Sequence, residues 1–438
     1  MLIRMRKIAV FSLYVINLLA LVCFYNNYIN FKVVTILTTL SVLLTLVELY
    51  KKKLGFALAY LSYLFLTNFG VYITNVFIEN PLIEYHGDLS WYSKNFDLVF
   101  IIANIAILTF SIFSILISNL YKVKYNTKLN IENSGNSTFY YAGIILIVLF
   151  TLQFLYYISS GKININTYKD YVSSIQEIKY YTLGVSMFSI GIAFSFANCS
   201  LKNLKYLIII LSLPVILFLI TGNRGEVFYP MLSAVGVLIV RNFKIKKWMY
   251  ILMLVTFFLL IPLIKLTRNL STSNLQELNI NWFSSLVEIG YTLRPLGFTV
   301  DWIQNGEDMA FGESYIAPIQ RMVANIIPGM EKIDYMVEGY GFRYRLPGMG
   351  YSVVAEGYYN WGLIGVILVM IIISLVCFKL SNVNSFTALS FGTAILSVLI
   401  NNIRNAFSFV PQYIIIVAIL TICLLLIHTF RRKLKKGT

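Results

Sequence analysis

Charge is what this sequence has least of. Only 12% of its 438 residues are Asp, Glu, Lys or Arg, about half the share found in a soluble domain. With 58% of the chain hydrophobic, a soluble globular enzyme and a disordered chain are both excluded. Histidine is nearly missing, with two residues, and cysteine is scarce, with four. Cys23, Cys199, Cys377 and Cys423 all fall in apolar runs without a C-x-x-C pair. They read as packing residues and suggest neither a disulfide framework nor a zinc site. No small-residue cleavage site follows the basic start at Met1 to Lys7, so an uncleaved first span is expected rather than a signal peptide. There is no glycine-rich phosphate loop and no cytoplasmic acidic pair for a metal-bound nucleotide.

What the chain does have is apolar runs of about twenty residues, the length that crosses a bilayer's hydrocarbon as a helix. About twelve spans are expected, at 8–29, 33–50, 54–77, 97–120, 139–158, 182–198, 204–221, 226–240, 247–264, 358–378, 385–402 and 409–428. The fold class is therefore an all-α polytopic membrane protein. Residues 1–264 hold spans one to nine, 265–357 form a long, partly helical extracytoplasmic loop, and 358–438 hold spans ten to twelve and a basic tail.

The net charge of +16 would suggest nucleic acid in a soluble protein. Here the excess sits in short segments between spans, where it orients the chain. Alternate loops carry Lys51 to Lys53, then Lys122, Lys124 and Lys128, then Lys202 and Lys205, then Arg241, Lys244, Lys246 and Lys247, then Lys379, and finally Arg431, Arg432 and Lys433. Glu132 is the only clear acid among them. The intervening loops collect Glu79, Glu84, Asp88, Asp170, Glu177 and nearly every other carboxylate. This pattern puts both termini in the cytoplasm and the loop 265–357 outside. Within that loop Trp282, Leu286, Ile289 and Leu293 recur at helical spacing, with Asn281 placed to cap and Pro295 to stop the run. An amphipathic helix is expected, on the membrane face or packed over the bundle.

Lysine dominates the inner loops, whereas arginine collects outside, at Arg224, Arg268, Arg294, Arg321, Arg343, Arg345 and Arg404. The planar guanidinium fork holds phosphate oxygens in bidentate fashion, so an anionic ligand such as a lipid pyrophosphate is suggested. The alternative is pairing with carboxylates of the same loop. Arg224 and Arg404 escape that alternative best, since each lies in a short turn between spans. Two strings carry candidate chemistry. One is the turn Thr221-Gly222-Asn223-Arg224-Gly225-Glu226, and the other runs from Gly348 to Gly362 through Glu356 and Tyr358 into span ten. Glu356 is expected at the interface, either as a reactive acid or paired to an arginine.

With its topology and long outer loop, the TGNRGE turn and the G-x-S-x-x-A-E-x-Y-x-N-x-G approach to span ten make the chain resemble the O-antigen polysaccharide polymerase (Wzy) family. The resemblance covers most of the chain in architecture and these two strings in residues. It implies a glycosyltransferase without cofactor that transfers a growing glycan from undecaprenyl pyrophosphate onto an incoming lipid-linked repeat unit; metal independence is expected because guanidinium groups would neutralise the leaving pyrophosphate. It also implies a chain-length regulator and a flippase as partners. Arg224 and Glu226 match the family's arginine-glycine-acid turn, and Glu356 its acid before span ten. On physical grounds Arg268, Arg294, Arg321, Arg404 and Tyr358 would bind pyrophosphate or sugar. The leaving pyrophosphate needs fixed cations, and the attacking hydroxyl needs a base. Glu356 is the first choice for that base, with Glu226 or His86 in reserve. Rival readings are an O-antigen ligase, which shares the architecture and donor, and a lipid-linked oligosaccharide flippase. A transporter should place ionisable groups at mid-membrane on broken helices, and the span centres here are nearly free of them. A scaffold without chemistry leaves the external arginines unexplained.

Overall fold

The computed structural model describes residues 2–78, 94–121, 129–165, 168–221, 223, 225–243, 284–333, 345–346 and 350–434. All regular structure among them is helical. The helices are α1 (Leu2–Tyr25), α2 (Phe31–Lys51), α3 (Gly55–Phe77), α4 (Phe96–Leu120), α5 (Ser137–Ser159), α6 (Tyr168–Glu177), α7 (Tyr181–Asn198) and α8 (Leu201–Ile220). They continue with α9 (Gly225–Val240), α10 (Ser284–Gly290), α11 (Arg294–Gln304), α12 (Glu313–Ala324), α13 (Val353–Ser381), α14 (Phe386–Asn402) and α15 (Val410–Leu434). Among the described residues, eight helical segments are long and apolar enough to cross a membrane, and three shorter apolar ones lie at Phe11–Tyr25, Gly225–Val240 and Phe386–Asn402. Together they coincide with eleven of the twelve expected spans. The expected ninth, 247–264, lies outside the described residues, as do Asn281, Trp282 and His86.

The chain forms two compact units, neither continuous in sequence. The first comprises residues 1–123, 286–379 and 399–412, and the second 124–285, 380–398 and 413–438. In the first unit α1, α2 and α4 are joined by neutral polar side chains. Asn17 Nδ2 donates to Thr38 Oγ1 (3.1 Å) and Ser41 Oγ (3.2 Å), and Thr38 Oγ1 donates to Asn104 Oδ1 (2.6 Å). Such bonds replace the missing hydrophobic drive between helices in lipid. Away from their ends these spans lack charge but not polarity. Phe100 of α4 adds ring contacts with Phe24, Phe69 and Tyr72 at 5.1, 5.7 and 4.8 Å. Lys52, expected as a solvated orienting charge, donates to Ser118 Oγ and Asn119 Oδ1 at the end of α4, each at 2.7 Å.

The expected helix of the long loop packs on a span. A Cβ at Gly70 of α3 would lie 2.3 Å from the Leu286 carbonyl oxygen, and one at Gly290 of α10 would lie 2.4 Å from the Val71 nitrogen. Only glycines allow backbones this close. Thr292 Oγ1 adds a bond to the Thr67 carbonyl at 3.2 Å, and Leu286 and Leu293 are buried. Pro295 does not stop the run. A 3-10 turn, Tyr291–Leu293, leads directly into α11, where Pro295 occupies the first turn. Proline is tolerated there because that position needs no amide hydrogen.

In the second unit α5 and α7 cross at glycines. A Cβ at Gly143 would sit 2.4 Å from Ser195 Oγ, and one at Gly191 would sit 2.8 Å from the Gly143 carbonyl oxygen. Phe150, Phe154, Phe188 and Phe218 stack beside the crossing. Arg241, expected as an orienting charge in a loop, is instead wholly buried. Its guanidinium donates to the carbonyls of Leu129 (3.3 Å), Phe196 (3.2 Å), Asn133 (2.8 Å) and Cys199, and lies over the Phe386 ring. Two of these carbonyls, Phe196 and Cys199, end α7, where carbonyls lack intrahelical partners, and the same fork holds the segment before α5 through Leu129 and Asn133. Of the four cysteines, Cys199 and Cys377 are buried, while Cys423 is exposed on α15.

Candidate active site

Helix α13 is broken near its start. Trp361 (φ −146°, ψ 28°) and Gly362 (φ 58°, ψ −143°) leave helical geometry, and the second pair is open only to glycine. The residues before the break fold back on the span that follows it. A Cβ at Gly365 would lie 2.1 Å from the Gly357 carbonyl oxygen. The glycines of the second string therefore build a short limb, capped where Ser352 Oγ accepts from the Ala355 amide at 3.1 Å. Glu356 sits on this limb.

Its side chain is fully enclosed, with 0% exposure. Oε1 accepts from Ser314 Oγ at 2.9 Å, and Oε2 accepts from the Phe407 amide at 2.7 Å. Among the described residues no guanidinium reaches it, so the expected alternative of an arginine partner is not what holds it. Asn360, one helical turn on, donates through Nδ2 to Ser314 Oγ (2.8 Å) and to the Glu356 carbonyl (2.7 Å). Its Oδ1 accepts from the Gly312 amide at 2.8 Å. The Ser314 hydroxyl thus passes a bond from Asn360 to the carboxylate. Gly312 begins α12 with φ 95° and lies on the Trp361 ring, where a Cβ would come within 2.7 Å. Tyr315 is stacked on Trp361 (5.9 Å) and edge-on to Phe407 (5.3 Å). Its hydroxyl is buried without a hydrogen-bond partner among the described residues, as is that of Tyr60 in α3. Burial first, and then the nearby Glu356, push the Tyr315 hydroxyl well above the ordinary phenol range, so it stays protonated and able to donate.

The arginines of the first unit have different employments. Arg345 grips Glu307 with two bonds of 2.6 Å and lies 3.6 Å over the Trp302 ring, while the Tyr359 hydroxyl donates to the same carboxylate at 2.8 Å. The Arg345 fork holds the Glu307 carboxyl below the ordinary carboxylate range. This is the structural pairing expected for part of the set. Arg294 Nη1 donates to the Tyr291 hydroxyl at 3.0 Å, and its guanidinium faces the Tyr291 and Phe298 rings. Arg294 Nε is buried without a hydrogen-bond partner among the described residues. Arg321 is half-buried on α12, two turns beyond Ser314, and Tyr358 is half-buried beside the acid limb. Arg404 is exposed in the turn that leads to Phe407, whose amide holds Glu356. The first unit therefore brings Glu356 together with α12 and the Arg404 turn. Arg224, Arg268 and Arg343 lie outside the described residues.

The second unit holds the other candidate acid. Glu226 lies in the first turn of α9, where the helix dipole favours an anion. Its oxygens accept from the Tyr181 hydroxyl and from Asn223 Nδ2, each at 2.8 Å. Tyr171 of α6 completes the cluster, with its hydroxyl 2.6 Å from that of Tyr181 and 3.3 Å from Asn223 Nδ2. Glu226 is half-buried, whereas Tyr171 is fully buried. Ser314, Tyr315, Asn360, Tyr171 and Tyr181 were not anticipated as parts of either cluster. Only Asn360 left a legible signal, standing four residues after Glu356 and hence on the same helical face.

The family model described as O-antigen polysaccharide polymerase Wzy matches residues 8–436. Protein CapE of Staphylococcus aureus is 56% identical over 414 residues, which is 94% of each chain. No solved structure matches.

Proposed function

The chain belongs to the O-antigen polysaccharide polymerase Wzy family, and from that premise we propose that it polymerises undecaprenyl-pyrophosphate-linked repeat units at the outer face of the bacterial cytoplasmic membrane. On this reading both termini are cytoplasmic. The acceptor hydroxyl attacks the anomeric carbon of the donor glycan, the bond to pyrophosphate breaks, and the hydroxyl proton passes to Glu356. The observation that carries the assignment is the enclosure of Glu356 by a serine hydroxyl and a backbone amide, on the string that marks the family. An oriented carboxylate without a countercharge among the described residues suits a base better than a structural ion pair does. Asn360 and Ser314 are positioning residues in this scheme. Arg404, Arg321, Arg294 and Tyr358 of the first unit are the described candidates for binding pyrophosphate or sugar. Guanidinium groups supply the charge a divalent ion would otherwise bring, so no metal is needed and a chelator should leave the rate intact.

The test is polymerisation of purified lipid-linked repeat units by the protein in liposomes. Glu356→Gln keeps size but cannot accept the proton, and the turnover loss should be on the order of 10²-fold or more, with both substrates still bound. Wild-type turnover in that variant would remove Glu356 from the role. Transfer to a lipid A core instead of to a second repeat unit would make the protein a ligase.

A further inference from the structure

Helix α12 has two unlike sides. Ser314, Ala317 and Pro318 are buried toward the Glu356 cluster. The other side presents Ile316 and Ile319, 60% and 45% exposed, and the segment that follows adds Ile326 and Ile327, 78% and 49% exposed. That segment is built. Gln320 Nε2 donates to the Glu331 carbonyl, and the Ile333 amide donates to Gln320 Oε1 at 3.1 Å, which ties the returning chain to α12. The bonds hold a tip that turns at Pro328 and at Gly329, whose φ is 82°. Ordered isoleucines displayed on a tip and along a helix mark an interaction surface.

The surface continues onto a span. Trp361, which stacks on Tyr315 and covers Gly312, leads past the break to Ile364, Leu368 and Ile372, all exposed at four-residue spacing along α13. In a helix long and apolar enough to span, such a stripe faces acyl chains. Trp361, which opens that stripe, packs against the start of α12 at Gly312 and Tyr315. We propose that α12 and the tip 326–330 form a membrane anchor, seated among the acyl chains of the bilayer beside α13. The helix is about 18 Å long, and its outward flank is apolar while the opposite flank packs on the protein, as suits a helix seated in the membrane interface. This assignment is independent of the catalytic reading. If that reading also holds, the acid is roofed by a lipid-seated helix, and a lipid-borne substrate reaches it sideways from the bilayer.

Full-length protein carrying Cys23→Ser and Cys423→Ser, with the buried Cys199 and Cys377 retained, provides the background for labelling. Ile319→Cys, Ile326→Cys and, as a solvent-facing control, Asn305→Cys are each labelled with bimane in phosphatidylcholine–phosphatidylglycerol vesicles. The background without an added cysteine sets the baseline. Doxyl-labelled lipid should remove most of the emission at 319 and 326 and little at 305, and aqueous iodide should do the reverse. Iodide quenching at 319 and 326 equal to that at 305 would overturn the proposal. Shielding from both quenchers, with an oxidative 319–319 disulfide, would overturn it in favour of a second copy of the chain.

Discussion

The two candidate carboxylates are held alike and exposed differently. Each accepts two bonds from uncharged donors and stands near the start of a helix. Glu356 is closed in by segments 42 and 51 residues away in sequence, so its setting exists only once α12, α13 and the turn before α15 have assembled. Glu226 is gathered from α6, α7 and its own turn, and the residue is less completely enclosed. Enclosure removes water and fixes direction, which are the conditions under which a proton acceptor works best. Partial exposure suits a group that meets a ligand and releases it. If the proposed function holds, proton transfer is expected at the first cluster and ligand contact at the second.

The largest expected effect tests that division directly. Glu356→Gln and Glu226→Gln, measured together in the liposome assay, should separate. The first should lose turnover by about 10²-fold or more at unchanged KM, while the second should act mainly through KM. Equal losses in turnover would erase the distinction, and a larger loss at Glu226 would reverse it. Next in size is the pair of supporting asparagines. Asn360→Ala strands the Gly312 amide and removes the donor to Ser314 in a fully buried site, which should cost about 3 kcal/mol of stability. Asn223→Ala acts at a half-buried position and should cost about 1 kcal/mol. Thermal unfolding in detergent reads both. A smaller cost at 360 than at 223 would mean the first cluster is not the tighter one.

Glycines extend the comparison. Gly362→Ala forces a side chain onto φ 58°, ψ −143°, and the strain should cost about 2 kcal/mol and displace the acid limb, lowering turnover as well. Gly225→Ala at the start of α9 meets the far end of the Tyr229 side chain, its hydroxyl at 3.0 Å, with no left-handed backbone to strain. It should be close to neutral in the same unfolding measurement. Comparable destabilisation by the two would show that the break at Trp361 and Gly362 is not required by the fold.

These contrasts also mark what the sequence discloses. Spans are legible because lipid demands about twenty apolar residues at a stretch, and the helices found at those positions differ from the expected ends by only a few residues. Family and candidate acids were legible for a local reason, since both strings are contiguous. The break in α13 was hidden because Trp361 and Gly362 continue an apolar run, and hydropathy carries no dihedral angles. Ser314 was hidden because nothing in a serine 42 residues before Glu356 predicts their bond. Arg241 was read as an orienting charge because composition reports sign and not burial. Helix α6 was missed for another reason. Its ten residues are too few to form a stable helix alone, and Tyr171, packed against Tyr181, ties it to α7.

The smallest expected effect concerns the carboxylate that does pair with an arginine, and it checks that ion pairing and catalysis are separable in the first unit. Arg345 holds the Glu307 carboxyl below its ordinary value of 4.5. A depressed carboxylate stabilises the folded state fully above its unfolded pKa, and that contribution is lost as pH falls through the lower folded value. Both side chains retain about a third of their exposure, so solvent screens the pair and its worth should be about 1 kcal/mol or less. Glu307→Gln should therefore unfold slightly below the wild type at neutral pH. The gap between the two should close only below pH 4.5, because there the wild-type carboxyl also becomes neutral. Turnover at neutral pH should fall little, since Glu307 touches Tyr359 rather than Glu356. A gap that widens in acid would reverse the sign assigned to this pair. A turnover loss as large as that of Glu356→Gln would mean that the Arg345 fork, through Tyr359 and the limb behind it, holds the acid in place.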